Sequence, residues 1–373
     1  MKRITAHQWT LMSSLLLLGP ALRQLPRAAA EQAGRAAWLG ALPALPLLLL
    51  YARFLARFWE TRPAGTGLAE AAMQVLGARW GPVVLYALSG WLLFYGGFVL
   101  RSGADRLVVT VYPQSAPAVF TLSMGLCCLI AALGSARSLA RAAAMLWPFV
   151  TGILLLLLLV SLKSVERVNL LPVTVLDLPA LAHGAVPVLN VLGLGLFLPL
   201  FFLGYIEPEA RPLAARRVRW LLGESLLLTL LMLAVLGNFG AELVSRLSQP
   251  FFTLVRNHVF FRSLERIEAL VVSCWIFPDF LLVSLCLFAA QHCLRLALGE
   301  KPLLDRGNRL DASRLRWLIP FCALAAILVG LLLGPELYSL RRLSERTVPF
   351  LNLCLSFLTV PLLYFIGKRR KTL

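Results

Sequence analysis

Charge is what this sequence has least of. Only 14% of its 373 residues are Asp, Glu, Lys or Arg, while 59% are hydrophobic. Soluble domains carry about 25% charged residues, so a water-exposed globular surface is excluded. Metal and disulfide chemistry are thin as well. The four histidines (His7, His183, His258, His292) are scattered with no metal-ligand spacing. The seven cysteines (127, 128, 274, 286, 293, 322 and 354) form no CxxC pair and are odd in number. They read as small apolar packing residues and not as a disulfide framework. No nucleophile elbow, phosphate loop or metal set is present, which argues against an enzyme and gives no cofactor.

What the chain has in quantity is long apolar runs. A run of about 18 or more apolar residues matches a helix crossing a bilayer. Ten such segments run at roughly 9–26, 36–55, 82–100, 116–134, 143–162, 182–205, 218–240, 269–294, 315–334 and 347–367. Charged or Pro/Gly-rich stretches such as "ETRPAGTG" and "IEPEARPLAARRVR" separate several of them and read as loops. The net charge of +18 sits in those loops, where it sets membrane topology and does not signal nucleic acid. With the N-terminus inside, 22 of the 36 basic residues fall on the inner side, which places both termini in the cytoplasm. The N-terminal run precedes Arg23 and Arg27, so it reads as a retained first span and not a cleaved signal.

Two spans carry helix-weakening residues. The first has Gly19-Pro20, and the sixth has Gly193, Gly195 and Pro199. They are the first spans of the two five-span halves. Interrupted helices in corresponding positions point to an inverted repeat around a central site. The expected architecture is therefore all-α: ten transmembrane helices in a single membrane domain, a five-plus-five inverted repeat with helices 1 and 6 broken. Its halves lie at about 9–162 and 182–367. The broken backbone at Leu18, Gly19, Gly193 and Gly195 would offer half-helix ends to a ligand.

The eighth span opens with "SLERIEALVVSCWIFPDF". On a helix, Glu268, Val272, Trp275 and Asp279 share a stripe, with Asp279 about 16 Å beyond Glu268 at about 1.5 Å per residue. An ionisable group at that depth is costly against lipid and should face the bundle interior or water, so Trp275 and Asp279 are expected to line a ligand cavity. Pro278 leaves the carbonyl of Cys274 without its helical donor. Glu265, Arg266 and Glu268 read either as a solvated helix end or as a charged clasp holding the outer loop 241–262. Glu224, near the inner end of the seventh span, is expected to reach out to the interface. Trp91 and Tyr95 share a face of the third span, and an aromatic stripe of this kind reads on spacing alone as packing.

Two stretches resemble the spore germination proteins of the AB type. The first carries Gln8, Gly19, Leu25-Pro26, Ala33-Gly34-Arg35 and Trp38; Ala36 stands where relatives often have Asp. The second carries Arg256, then "ERIEA" (Glu265, Arg266, Ile267, Glu268, Ala269), then Trp275. The resemblance implies a fold like that of the amino-acid/polyamine/organocation transporters, in which the third helix, beside the two broken ones, would be a pocket wall with Tyr95 and Gly96 as candidate residues. It implies the membrane B subunit of a nutrient germinant receptor in the spore inner membrane, binding a small nutrient such as an amino acid and working with two other subunits. An amino-acid permease of the same fold is the alternative, and a structural membrane partner with a vestigial pocket is a third. Many relatives keep a polar residue after a glycine in the sixth helix. Here Gly195 is followed by Leu196, Phe197 and Leu198, which suggests a more apolar pocket.

Overall fold

A computed structural model describes residues 3–63, 65–207, 214–257, 267–300, 315, 317–333 and 342–370. Eleven α-helices run in chain order among them: α1 (Ala6–Ala33), α2 (Ala41–Glu60), α3 (Leu68–Thr110), α4 (Pro117–Ala132), α5 (Ala136–Ser161), α6 (Leu178–Phe197), α7 (Ala214–Arg246), α8 (Pro250–Asn257), α9 (Ile267–Ala297), α10 (Leu318–Leu332) and α11 (Val348–Arg369). Every one of the ten apolar segments is occupied by a helix, and α8 is a short addition between the seventh and eighth. Seven helical stretches are long and apolar enough to cross a membrane, whereas Pro117–Ala132 and Leu318–Leu332 are shorter apolar helices. The chain is a multi-pass integral membrane protein.

Local chemistry sets the helix ends. The Thr5 hydroxyl accepts the Gln8 backbone N–H while the Gln8 side chain accepts that of Thr5, each at 3.2 Å, so α1 starts at a capping box. The expected break at Gly19-Pro20 is absent: α1 is one helix of 28 residues. Tight burial explains its continuity, since every residue from Met12 to Arg23 is buried and neighbouring helices hold the backbone that Pro20 cannot pair. In the sixth span the α-helix does give way, but at Leu198-Pro199. There it passes into a 3₁₀ segment, Leu198–Tyr205, beyond Gly193 and Gly195. The third span also runs past its expected end. It bends at Gly77 (φ 73°) and then continues to Thr110.

α1 lies at the centre, against α5, α6, α7 and α9. Two packing groups surround the site. Helices α1, α2, α6 and α7 pack on one another, and α3, α4, α9 and α10 form a second group, in which α3–α9 is the most extensive contact. Each group joins two spans of the first half to the corresponding two of the second, the pattern that a five-plus-five repeat produces. Burial follows this division. The span containing α6 is 89% buried, against 33% for the span of α5 and 28% for that of α11, which present their remaining faces to lipid.

Candidate functional site

Asp279 sits one turn beyond Trp275 on α9 and is 1% exposed. Its carboxylate forms an ion pair with Arg106 of α3 and lies 3.8 Å from Arg23 of α1. Gly19 makes room for it: a Cβ there would collide with Oδ1, whereas one on Gly103 would meet Oδ2 in ordinary contact at 3.7 Å. Both arginines also rest on aromatic faces, Arg23 5.3 Å from the Phe98 ring centroid and Arg106 5.3 Å from that of Trp275. Cation–π contact of this kind offsets part of the cost of burying a guanidinium.

The triad of Arg23, Arg106 and Asp279 carries a net charge of +1, two cations against one anion. Arg106 is further held by its Nε donating to the Ser102 carbonyl at 3.3 Å. All three Arg23 nitrogens and Asp279 Oδ1 are buried without a hydrogen bond. Buried groups of this kind are ordinarily completed by a polar partner.

Arg23 and Arg106 form the floor of a cavity of about 460 Å³, within the range of small-ligand sites. It opens at the face of the bundle opposite the two chain termini. Val186, Pro187, Asn190 and Val191 of α6 make one wall, and Asn190 Oδ1 is a further buried acceptor without a partner. The rim is charged. Arg27 bridges Glu31 at 3.0 Å and Glu345 at 2.9 Å, Arg101 bridges Asp105 at 3.1 Å, and the Gln24 amide donates to Ser344 at 3.0 Å.

None of the eight residues expected to contact ligand lines this cavity. Gly19, Trp275 and Asp279 lie directly behind its arginine floor, while Leu18 is core. Tyr95 is buried in an aromatic stack, 5.9 Å from Trp91 and 6.3 Å from Phe98. Gly96 faces Cys286 and Ala326 across a helix contact. Gly193 packs on Phe357 of α11, and Gly195 fits between Trp220 and Leu17. These glycines serve helix approach, because an added Cβ would come within 2.7 Å of Phe357 or 2.9 Å of Trp220. Glu265 and Arg266 lie outside the described residues, as does the side chain of Glu268. Glu224 does not reach the interface but is 7% exposed inside the bundle. The cavity wall is mainly apolar, and the charge at its floor and rim comes largely from α1 and α3 and not from the sixth helix.

Reading the sequence alone missed Arg23 and Arg106. Arg23 looked like a flank of the first span, and Arg106 fell beyond the drawn end of the third. The available signal was "VLRSGADRLVVTVY", in which apolar residues continue around the charges.

These features define a transporter-like membrane protein, and a solved structure agrees on the fold. The structure is similar to that of MhsT in complex with L-phenylalanine, with a TM-score of 0.65 at 15% identity over 95% of this chain and 89% of that one. A weaker similarity, TM-score 0.46 at 11% identity over 97% and 93% of the chains, is to the nucleobase-cation-symport transporter Mhp1 with bromovinylhydantoin bound. No curated protein matches the sequence. The chain belongs to the spore germination protein family, whose model matches residues 3–303.

Proposed function

We propose that this protein is the nutrient-sensing membrane subunit of a spore germinant receptor and that it binds an amino acid in the cavity above Arg23 and Arg106. The observation that carries this reading is the Arg23 guanidinium, buried at the cavity floor with no hydrogen bond. A ligand carboxylate supplies what it lacks. The Asn190 carbonyl on the adjacent wall accepts an ammonium group, so one zwitterion satisfies both. The net positive charge of the triad favours the carboxylate end. That MhsT was solved with L-phenylalanine supports the ligand class.

In this reading the halves at about 9–162 and 182–367 are repeats within one membrane domain. Both termini face the cytoplasm, the cavity opens outward at the spore inner membrane, and two other receptor subunits read the ligand-induced change. The bound ligand shifts the bundle only as far as it binds one arrangement better than the other. The test is amino-acid binding to the purified protein in nanodiscs by calorimetry. A charge-assisted hydrogen bond is worth about 1.5–3 kcal/mol, so Arg23→Gln should weaken binding roughly 10- to 100-fold. Equal affinity in wild type and variant would refute the site. Sustained uptake of labelled amino acid into vesicles would replace the sensor by a permease.

A further inference from the structure

At the termini face, opposite the cavity, a second buried charged pair joins elements that close the bundle. Glu70, in the first turn of α3, lies 2.7 Å from Nε2 of His292 near the end of α9. The two are 8% and 2% exposed. The other Glu70 oxygen accepts the Gly67 N–H at 3.0 Å, so the same carboxylate caps the helix and fixes the loop before it.

That loop packs on the sixth span. A Cβ on Gly67 would lie 2.9 Å from the Phe201 carbonyl, and one on Gly204 2.7 Å from the Gly65 carbonyl, so loop 65–67 and the 3₁₀ tail of the sixth span touch backbone to backbone. The tail is tied in turn to the N-terminus. Ile4 donates to Tyr205 at 2.9 Å, Glu207 donates to Ile4 at 3.1 Å, and the Trp9 indole donates to the Pro199 carbonyl at 3.1 Å.

The segment 65–76 ends at a kink. Gly77 breaks the helix behind it with φ 73° and ψ −176°, a conformation that favours glycine. Besides the Glu70–His292 pair, Arg370 holds the segment at that kink, its guanidinium donating to the Leu76 carbonyl at 2.7 Å and to that of Val75 at 3.3 Å, and the Trp59 indole holds it at the loop, donating to the Thr66 carbonyl at 3.2 Å.

We propose that Glu70 and His292 form a proton-binding site, separate from the ligand cavity, which holds segment 65–76 shut and releases it to hinge at Gly77 when one proton leaves. With a single proton in the Oε1···Nε2 contact, the pair is net neutral as carboxylate and imidazolium. Loss of that proton to water at the termini face leaves a net negative charge in a dry contact, and hydration by opening relieves it. The sign follows: the closed form binds one proton more than the open form, so rising pH favours opening. The other titratable or charged groups facing the pair are Tyr205 on the sixth-span tail, Cys293 and Arg295 on α9, and Cys322 on α10 beyond Cys293. Arginine keeps its charge throughout, and phenols and thiols ordinarily titrate above imidazole, so none of these neighbours supplies the proton.

Pulsed electron–electron spin resonance in nanodiscs tests this. Spin labels go on Gln74→Cys and Leu298→Cys, both exposed positions, with the two least buried native cysteines removed as Cys127→Ser and Cys354→Ser. Between pH 5.5 and 9 a second distance should grow in, its ratio to the first rising by up to about tenfold per pH unit for one proton. Glu70→Gln and His292→Gln, each tested alone, should show a distribution that no longer depends on pH. A single pH-independent distance in the otherwise wild-type protein would overturn the proposal even if neither variant folds. So would a pH response that persists in Glu70→Gln.

Discussion

Removing the one carboxylate between two buried arginines is the sharpest perturbation the structure offers. Asp279→Asn preserves shape but raises the net charge of the triad from +1 to +2. Arg106 is 2% exposed and Arg23 is 7% exposed, so solvent screens neither well. Stranding a buried charge in this way costs about 3–5 kcal/mol. Arg106→Gln should cost less, because Asp279 keeps Arg23 at 3.8 Å and the pair becomes neutral. The double variant Arg106→Gln/Asp279→Asn returns the net charge to +1. It should therefore be more stable than Asp279→Asn alone, with a coupling energy of roughly 2–3 kcal/mol, as expected for residues in one ionic network. Thermal unfolding in nanodiscs can be followed with a thiol-reactive fluorophore, since Cys128, Cys274, Cys286, Cys293 and Cys322 are buried and unreactive until the bundle opens. Additive losses, with the double variant worse than either single one, would refute the claim that Asp279 compensates the two arginines.

Other outcomes follow from the same contacts. Gly19→Ala drives a methyl group into the Asp279 carboxylate, so it should lower thermal stability and ligand affinity together, measured on the same nanodisc sample. Gly193→Ala instead meets Phe357 at 2.7 Å, away from the cavity; it should cost about 1–3 kcal/mol by overpacking and leave amino-acid affinity in the folded fraction unchanged. At the rim, Arg27→Gln removes bridges to Glu31 and Glu345, whose side chains are 40% and 35% exposed. Its effect on unfolding should stay under about 1 kcal/mol, while rapid-mixing kinetics should show altered ligand entry and release.

Amino-acid order alone determined the solvent, the spans and the scarcity of reactive chemistry. Bilayer-length apolar runs admit little besides helices, because the backbone of each span must satisfy its own hydrogen bonds in lipid. Asp279 could be placed inside the bundle for the same energetic reason, since a carboxylate at that depth is expensive against lipid. Gly19-Pro20 was legible as a special position, but its meaning was not. The sequence suggested a broken helix, whereas the glycine makes room for a carboxylate arriving from a helix 260 residues further along the chain. The partners of Asp279 were hidden because Arg23 and Arg106 look like ordinary span-flanking charges until α1, α3 and α9 cross. The same crossing moved the cavity above the glycines, and at the opposite face it joined Glu70 to His292 across 222 positions of chain. Local pattern fixes which segments enter the membrane. Which buried charges meet there depends on contacts between distant helices, and those exist only once the bundle has packed.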